Sequence, residues 1–315
     1  MNEVDIYKSS YKSQSAVTIE SKAIKVQFLP RFGSNMCSLF YKLKNIELLV
    51  QRKGKYKIGS YGSSYVKAEC AGVDDMFPTI DECFYENHPW KGIHIPDHGE
   101  VWAIPWDIMI ENEKIHFFTY GVRFPYKVDK LVYFESDYVL RIDYKVTNLS
   151  SFDLDFMWVA HCMLISETGL CINLPEEVKT VVCTWDIDGL IEYGKELNWP
   201  VYHNSLGKEN NLGLMGMKGS GRAIKYFVKD AMSNGWCKLE YPKSELTLTL
   251  TFPVKLVPYL GILLNEGKWG NLYNIFIEPA TAPFDRLDVS KIHGKCSNVK
   301  ANSTYEWYLK MSIES

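Results

Sequence analysis

The segment Pro96-Asp97-His98-Gly99-Glu100-Val101-Trp102, continued by Ile104-Pro105-Trp106, puts an imidazole, two carboxylates and two indoles within eleven residues. His98 can serve as acid, base or hydrogen-bond donor near neutral pH. Gly99 would let the backbone approach a ligand, and Trp102 and Trp106 would offer a flat apolar face. A tight turn with a hydrogen-bonded histidine and two core tryptophans accounts for the same residues. Upstream, Asp74, Asp75, Asp81 and Glu82 stand within nine residues, interleaved with Met76, Phe77 and Ile80. Such carboxylates suit the hydroxyl groups of a ligand or a cation, although no EF-hand spacing is present. The apolar interleaving points to a partly buried loop beside a pocket.

Two further residues stand out. His161 lies in the apolar run Phe156-Met157-Trp158-Val159-Ala160-His161-Cys162-Met163-Leu164, which reads as a strand buried on both faces. It is either a core histidine bonded to backbone or one that points into a pocket. Glu278 follows the apolar stretch Asn274-Ile275-Phe276-Ile277 and precedes Pro279, which reads as a strand end. A carboxyl desolvated there would rise in pKa towards a useful base. The competing reading pairs it with a surface lysine or with Arg286. His88, His94, His116, His203 and His293 show no metal-ligand spacing, and Pro96 breaks any helix that would align His94 with His98. No GxSxG, P-loop, GxGxxG or HExxH pattern occurs. Those absences argue against common serine hydrolases, P-loop enzymes, nicotinamide enzymes and zincins.

The elements that must position these residues are strands. Period-2 alternation recurs over 23–29, 115–122, 131–135, 139–146, 223–228, 236–241, 245–252, 259–264, 271–277 and 305–311. Turn residues separate two hairpins, at Glu135-Ser136-Asp137 and at Tyr241-Pro242-Lys243-Ser244. Helical signals are scarce. Residues 264–270 could form one turn, and 179–185 could be strand or helix. Runs of strands without interleaved helices predict an all-β fold, a large antiparallel β-sandwich. No repeat or linker divides the chain, so one domain over 1–315 is expected. Residues 69–106 and 186–221 break the alternation and read as long loops, where a site should be sought.

Composition bounds the rest. The chain has 315 residues, with 46% hydrophobic and 23% charged, as expected of a globular protein. The balance of 35 basic to 38 acidic residues gives a net charge of −3, which offers no field for a nucleic-acid backbone. No apolar run approaches the length of a membrane span. The opening Met1-Asn2-Glu3-Val4-Asp5 lacks an apolar signal core, so a cytoplasmic location is expected. Eight cysteines are scattered without CxxC spacing, which reads as reduced, apolar side chains. Aromatic residues make up 14% of the chain, a content suited both to strands and to stacking on ligands.

The ordered set of segments resembles the aldose 1-epimerase (galactose mutarotase-like) superfamily. The set comprises Pro30-Arg31-Phe32-Gly33-Ser34-Asn35-Met36-Cys37-Ser38-Leu39, Met76-Phe77-Pro78, Asp97-His98-Gly99-Glu100, His161 and Ile277-Glu278-Pro279. The closing Tyr305-Glu306-Trp307-Tyr308-Leu309 resembles the last strand of that family. The resemblance spans nearly the whole chain and rests on order rather than on any single motif. It implies a supersandwich that binds a free sugar on the concave face of one sheet. It further implies Glu278 as the base that takes the anomeric proton and His161 as the acid that protonates the ring oxygen. His98 would polarise that oxygen, and neither metal nor cofactor would be required. On their own segments, Asp75, Glu100 and Trp102 are the substrate-binding candidates. Relatives that act on sugar phosphates carry an arginine where Trp102 stands, and the stretch around His161 also departs from the galactose enzymes.

The expected function is interconversion of sugar anomers through ring opening. Its partner would be a small sugar, not nucleic acid or membrane, and the sequence sets no oligomeric state. The alternatives are a non-catalytic carbohydrate-binding protein on the same fold or, third, a glycan-processing lyase or hydrolase.

Overall fold

The computed structural model describes residues 4–204 and 207–315. Met1-Asn2-Glu3 at the start, and Ser205 and Leu206 within the second long loop, lie outside the described residues. The alternating segments become strands at the expected places. Ala223–Val228 and Trp236–Tyr241 have the expected bounds, and 139–146 lies within Val139–Asn148. The ambiguous 179–185 segment is the strand Thr180–Asp186. Alternation also places the side chains. Val139–Asn148 and Leu246–Thr251 turn every second residue inwards, so Leu140, Ile142, Tyr144 and Val146 meet Leu248 and Leu250 in the interior.

Twenty of the described strands form two large sheets and six more pair in three small ones, all through antiparallel pairings. One is twelve-stranded. Its order is Asp5–Tyr11, Gln14–Glu20, Ile24–Leu29, Asn35–Tyr41, Gly72–Met76, Val159–Ile165, Tyr273–Ala280, Tyr259–Glu266, Ala223–Val228, Thr180–Asp186 and Glu196–Asn198, with Ile46–Glu47 beside Asn35–Tyr41. The other is eight-stranded and runs from Cys171–Asn173 to Asp107–Glu111 through the final strand Thr304–Glu314. Two sheets stacked in this way form the expected all-β sandwich.

The space between the sheets is filled largely by rings. Tyr144 stacks on Trp307 with centroids 5.5 Å apart, and Trp158 leans on Tyr144 at 4.7 Å. Truncating one such ring to alanine costs about 3–5 kcal/mol. One apolar cluster extends through both sheets, from Val17 to Ile313. A buried ion pair also joins the sheets, with Lys130 Nζ 2.8 Å from Asp75 Oδ2 and both side chains 1% exposed.

Three expectations are corrected. Residues 69–106 are not loop throughout, because Gly72–Met76 is a central strand of the larger sheet. Glu278 does not end its strand, which runs through Pro279 to Ala280. Residues 264–270 form no helical turn, whereas Leu287–Ile292 is an α-helix that alternation gave no sign of.

Candidate functional site

The order of the larger sheet brings distant parts of the chain side by side. Val159–Ile165 lies between Gly72–Met76 and Tyr273–Ala280. His161 pairs in register with Asp74, and the register that sets Cys162 opposite Ile277 carries His161 opposite Glu278. Further along, Gly261 pairs with Glu278 and Phe227 pairs with Gly261, so Lys225, two residues from Phe227, shares the same face. One row across the sheet therefore carries Asp74, His161, Glu278, Gly261 and Phe227, with Lys225 one step along on the same face. A β-carbon at Gly261 would fall 3.0 Å from Glu278 Oε2 and 2.8 Å from Phe227 Cζ. The bare glycine is what leaves room for the carboxylate.

Glu278 is wholly buried, and its Oε1 lies 3.3 Å from His161 Nε2. Its Oε2 lies 2.8 Å from Lys225 Nζ, which in turn lies 2.7 Å from Asp285 Oδ1. Burial pushes the Glu278 carboxyl up, and the ammonium of Lys225 opposes that rise. Lys225 is held above the ordinary lysine range: burial favours loss of its charge, but Asp285 and Glu278 outweigh it. Burial, reinforced by the charges of His98 and Lys225, drives His161 well below its ordinary value. A deprotonated, neutral imidazole is therefore its form at pH 7.

His98 reaches this row from the adjacent loop. Its backbone is left-handed at φ 60, followed by Gly99 at φ 77. A β-carbon on Gly99 would sit 2.2 Å from the carbonyl oxygen of Phe77, so the loop can press against that strand only with glycine there. His98 Nδ1 lies 2.6 Å from Asp97 Oδ1, and its ring meets that of His161 edge-on with centroids 5.4 Å apart. Burial works against the charge on Asp97, yet the His98 hydrogen bond and charge hold its carboxyl below the usual range.

Tyr65 closes the cluster. Its ring stacks on His98 at 4.2 Å, its hydroxyl donates to Asp74 Oδ2 at 2.8 Å, and it lies 3.2 Å from His161 Nδ1. Asn35 Nδ2 donates to the other Asp74 oxygen at 2.8 Å. Burial pushes the Asp74 carboxyl up to about 6.

His98, His161 and Glu278 thus meet, and the other three sequence candidates divide. Trp102 packs edge-on against Tyr65 at 5.0 Å, and its indole N–H donates to the Asp97 carbonyl. It sits behind Tyr65 and His98, 6% exposed. Asp75 is corrected. It pairs with Ala160, one residue off from the His161–Asp74 pair, so it faces the second sheet and accepts from Lys130 and from the Trp158 indole. Glu100 is corrected as well. It is fully buried and accepts from the hydroxyls of Tyr61 and Tyr126 and from the backbone N–H of Val122 and Arg123. Trp106 is a core residue, with its N–H donated to the Val101 carbonyl. Arg286 pairs with Asp288, not with Glu278.

Lys225, Asp285, Tyr65 and Asp74 were missed or passed over. One signal for Lys225 exists in the sequence, since it alternates with Phe227 on a strand whose other face carries Ile224, Tyr226 and Val228. Tyr65 carries no such signal. Among the described residues no group of three or more His, Cys, Asp or Glu is arranged to hold a metal ion, and all eight cysteines are free. No helix among them is long and apolar enough to cross a membrane.

Comparison with known proteins agrees with this architecture. The chain is similar to the crystal structure of a galactose mutarotase-like protein from Clostridium acetobutylicum, with a TM-score of 0.71 and 14% identity over 99% of each chain. It is also similar to a galactose mutarotase related enzyme from Lactobacillus acidophilus. There the TM-score is 0.67 and the identity 14%, over 99% of this chain and 98% of the other. No family model matches the chain, and no curated protein matches it. At these identities the likeness is one of fold: the galactose mutarotase-like supersandwich.

Proposed function

We propose that the protein is an isomerase of the aldose 1-epimerase kind, which interconverts the anomers of a neutral sugar by opening and reclosing its ring. The observation that carries this reading is the pairing of Glu278 Oε1 and His161 Nε2, 3.3 Å apart on one face of the sheet. In a cyclic sugar the anomeric hydroxyl and the ring oxygen share one carbon. A base and an acid that serve both must each come within hydrogen-bond reach, about 2.6–3.2 Å, of one of those two oxygens, so the two side chains must converge on one spot.

Glu278 removes the proton from the anomeric hydroxyl as the bond from the anomeric carbon to the ring oxygen breaks. The ring oxygen takes the electron pair and a proton from His161 Nε2. The aldehyde rotates, and closure on its other face reverses each transfer. His98 stands beside His161 to polarise the ring oxygen. Lys225 fixes one oxygen of Glu278 and leaves the other free to act. Its charge is already met by Glu278 and Asp285, so Lys225 offers no free cation to a phosphorylated sugar.

The test is direct. Freshly dissolved aldoses are followed by polarimetry or proton NMR, with and without protein. Acceleration of anomer equilibration for at least one neutral sugar supports the reading, and none across a broad panel overturns it. A second reading, sugar binding without turnover, is favoured by the same Lys225 contact, because an ion-paired carboxylate is a weaker base. Sugar binding seen by calorimetry with no acceleration would select it.

A further inference from the structure

An acid needs a proton at His161 Nε2, but burial beside His98 and Lys225 opposes a charged imidazolium. The other side of the ring supplies a way round this conflict. His161 Nδ1 meets the Tyr65 hydroxyl at 3.2 Å, and that hydroxyl meets Asp74 Oδ2 at 2.8 Å. Asp74 is 5% exposed and Tyr65 1%, so no bulk water competes for these bonds. Asn35 anchors the far carboxylate oxygen. Tyr65 itself is pinned, because its backbone N–H donates to Asp97 Oδ2 at 2.8 Å.

We propose that Asp74 and Tyr65 form a proton relay that lets His161 give and take a proton at Nε2 while remaining a neutral imidazole. The relay rests on the anomer-interconverting reading above, and Tyr65 and Asp74 are positioning residues that act through His161. In one state Asp74 is ionised, Tyr65 donates to it, and His161 Nδ1–H donates to Tyr65. In the other, Asp74 carries a proton and donates to Tyr65, Tyr65 donates to Nδ1, and Nε2 carries the hydrogen. The second state holds one proton more, and that proton sits on Asp74 rather than as charge on the ring.

Ring opening balances as follows. The anomeric O–H bond breaks and its proton goes to Glu278. The bond between the anomeric carbon and the ring oxygen breaks, and its pair goes to the ring oxygen, which takes the Nε2 proton. Nδ1 takes the phenolic proton of Tyr65, and Tyr65 takes the carboxyl proton of Asp74. Ring closure reverses every transfer.

Other groups face the relay. His161 is met by Glu278 at 3.3 Å and by the His98 ring, with Lys225 contributing charge from further along the same sheet. Asp74 feels Asp75 and Lys130, and it acts on Tyr56 and Cys70, whose own pKa values are raised. Burial and these neighbours put the Asp74 carboxyl at about 6, close enough to neutrality for both states to be populated.

The experiment is nitrogen-15 NMR of the histidine rings from pH 8 to pH 5, on wild type, Tyr65→Phe and Asp74→Asn. Wild-type His161 should change from the neutral Nδ1–H form to the neutral Nε2–H form as pH falls, without an imidazolium signature. Both variants should lose that switch. If Tyr65→Phe does not fold, Asp74→Asn, nearly the same shape, carries the test. A wild-type His161 that keeps one tautomer throughout, or becomes imidazolium, overturns the relay. So does a switch unchanged in Asp74→Asn. A switch without sugar acceleration leaves the relay standing and removes the proposed function. Acceleration without a switch does the reverse. With both present, each variant should lower the rate by about tenfold or more and remove any dependence of the rate on the Asp74 carboxyl.

Discussion

Replacing Lys225 by methionine removes the ammonium that sits between Glu278 and Asp285 and keeps a chain of similar length. At 2.8 Å and an effective dielectric near 20, Coulomb's law gives about 6 kcal/mol for the contact with Glu278. Desolvation of the ammonium cancels part of this, and single opposite charges at such range shift carboxyls by about 1–3 pKa units. Burial already raises Glu278, and Lys225 restrains the rise. Deleting it therefore raises the pKa further. Because the base acts when ionised, the rising limb of the pH–rate profile should move about 1–3 units towards alkali. At pH values below the limb activity should fall about 10- to 1000-fold, and it should return as the pH is raised. Stability follows the same sign. A carboxyl whose folded pKa exceeds its unfolded value stabilises the fold at low pH, and that contribution is lost as pH rises through the folded pKa. The variant should be weaker in urea by about 3–5 kcal/mol, more so at pH 8 than at pH 5. The assays are anomer equilibration by NMR across pH and urea unfolding at both pH values. Lys225→Arg should keep the limb near its wild-type position. A methionine variant with an unmoved limb and wild-type stability would refute the role given to Lys225.

Other substitutions separate structure from chemistry. Lys130→Met leaves Asp75 buried without its partner, so urea unfolding should show a loss of about 3–5 kcal/mol. Sugar affinity per folded molecule, by calorimetry, should not change, because Asp75 faces the second sheet. Gly261→Ala forces a β-carbon against Phe227 and Glu278, so it should cost about 1–3 kcal/mol and displace the base. Its kcat should fall while KM moves little.

Most strands of the sandwich are legible because each turns one face to water or to the second sheet, and alternation records that. Gly72–Met76 is the exception that matters. Its residues Gly-Val-Asp-Asp-Met include low strand formers, and its carboxylates are buried through partners on other segments: Asn35 and Tyr65 for Asp74, Lys130 and Trp158 for Asp75. Without the strand its faces cannot be assigned, and the sequence does not tell Asp74, which faces the site, from Asp75, which faces the second sheet. Lys225 has a similar history. A lysine in an alternating strand reads as solvent-facing, and only Glu278 and Asp285, both more than fifty residues away, make its burial tolerable. Tyr65 lies in a short 3-10 turn within an irregular segment, where no periodicity exists to place it. Local context marks Glu278, His161 and His98 as candidates, and the resemblance supplies their roles. Their meeting is a property of strand order, which the sequence does not display.

The central claim is that Glu278 and His161 act as base and acid on one sugar carbon. It is tested most directly by dissolving a pure anomer of an accepted sugar and following its equilibration by NMR with wild type, Glu278→Gln and His161→Ala. The account predicts acceleration by wild type and a loss of about 10²–10⁴-fold in each variant, with folding intact by circular dichroism. Full acceleration retained by both variants would contradict it.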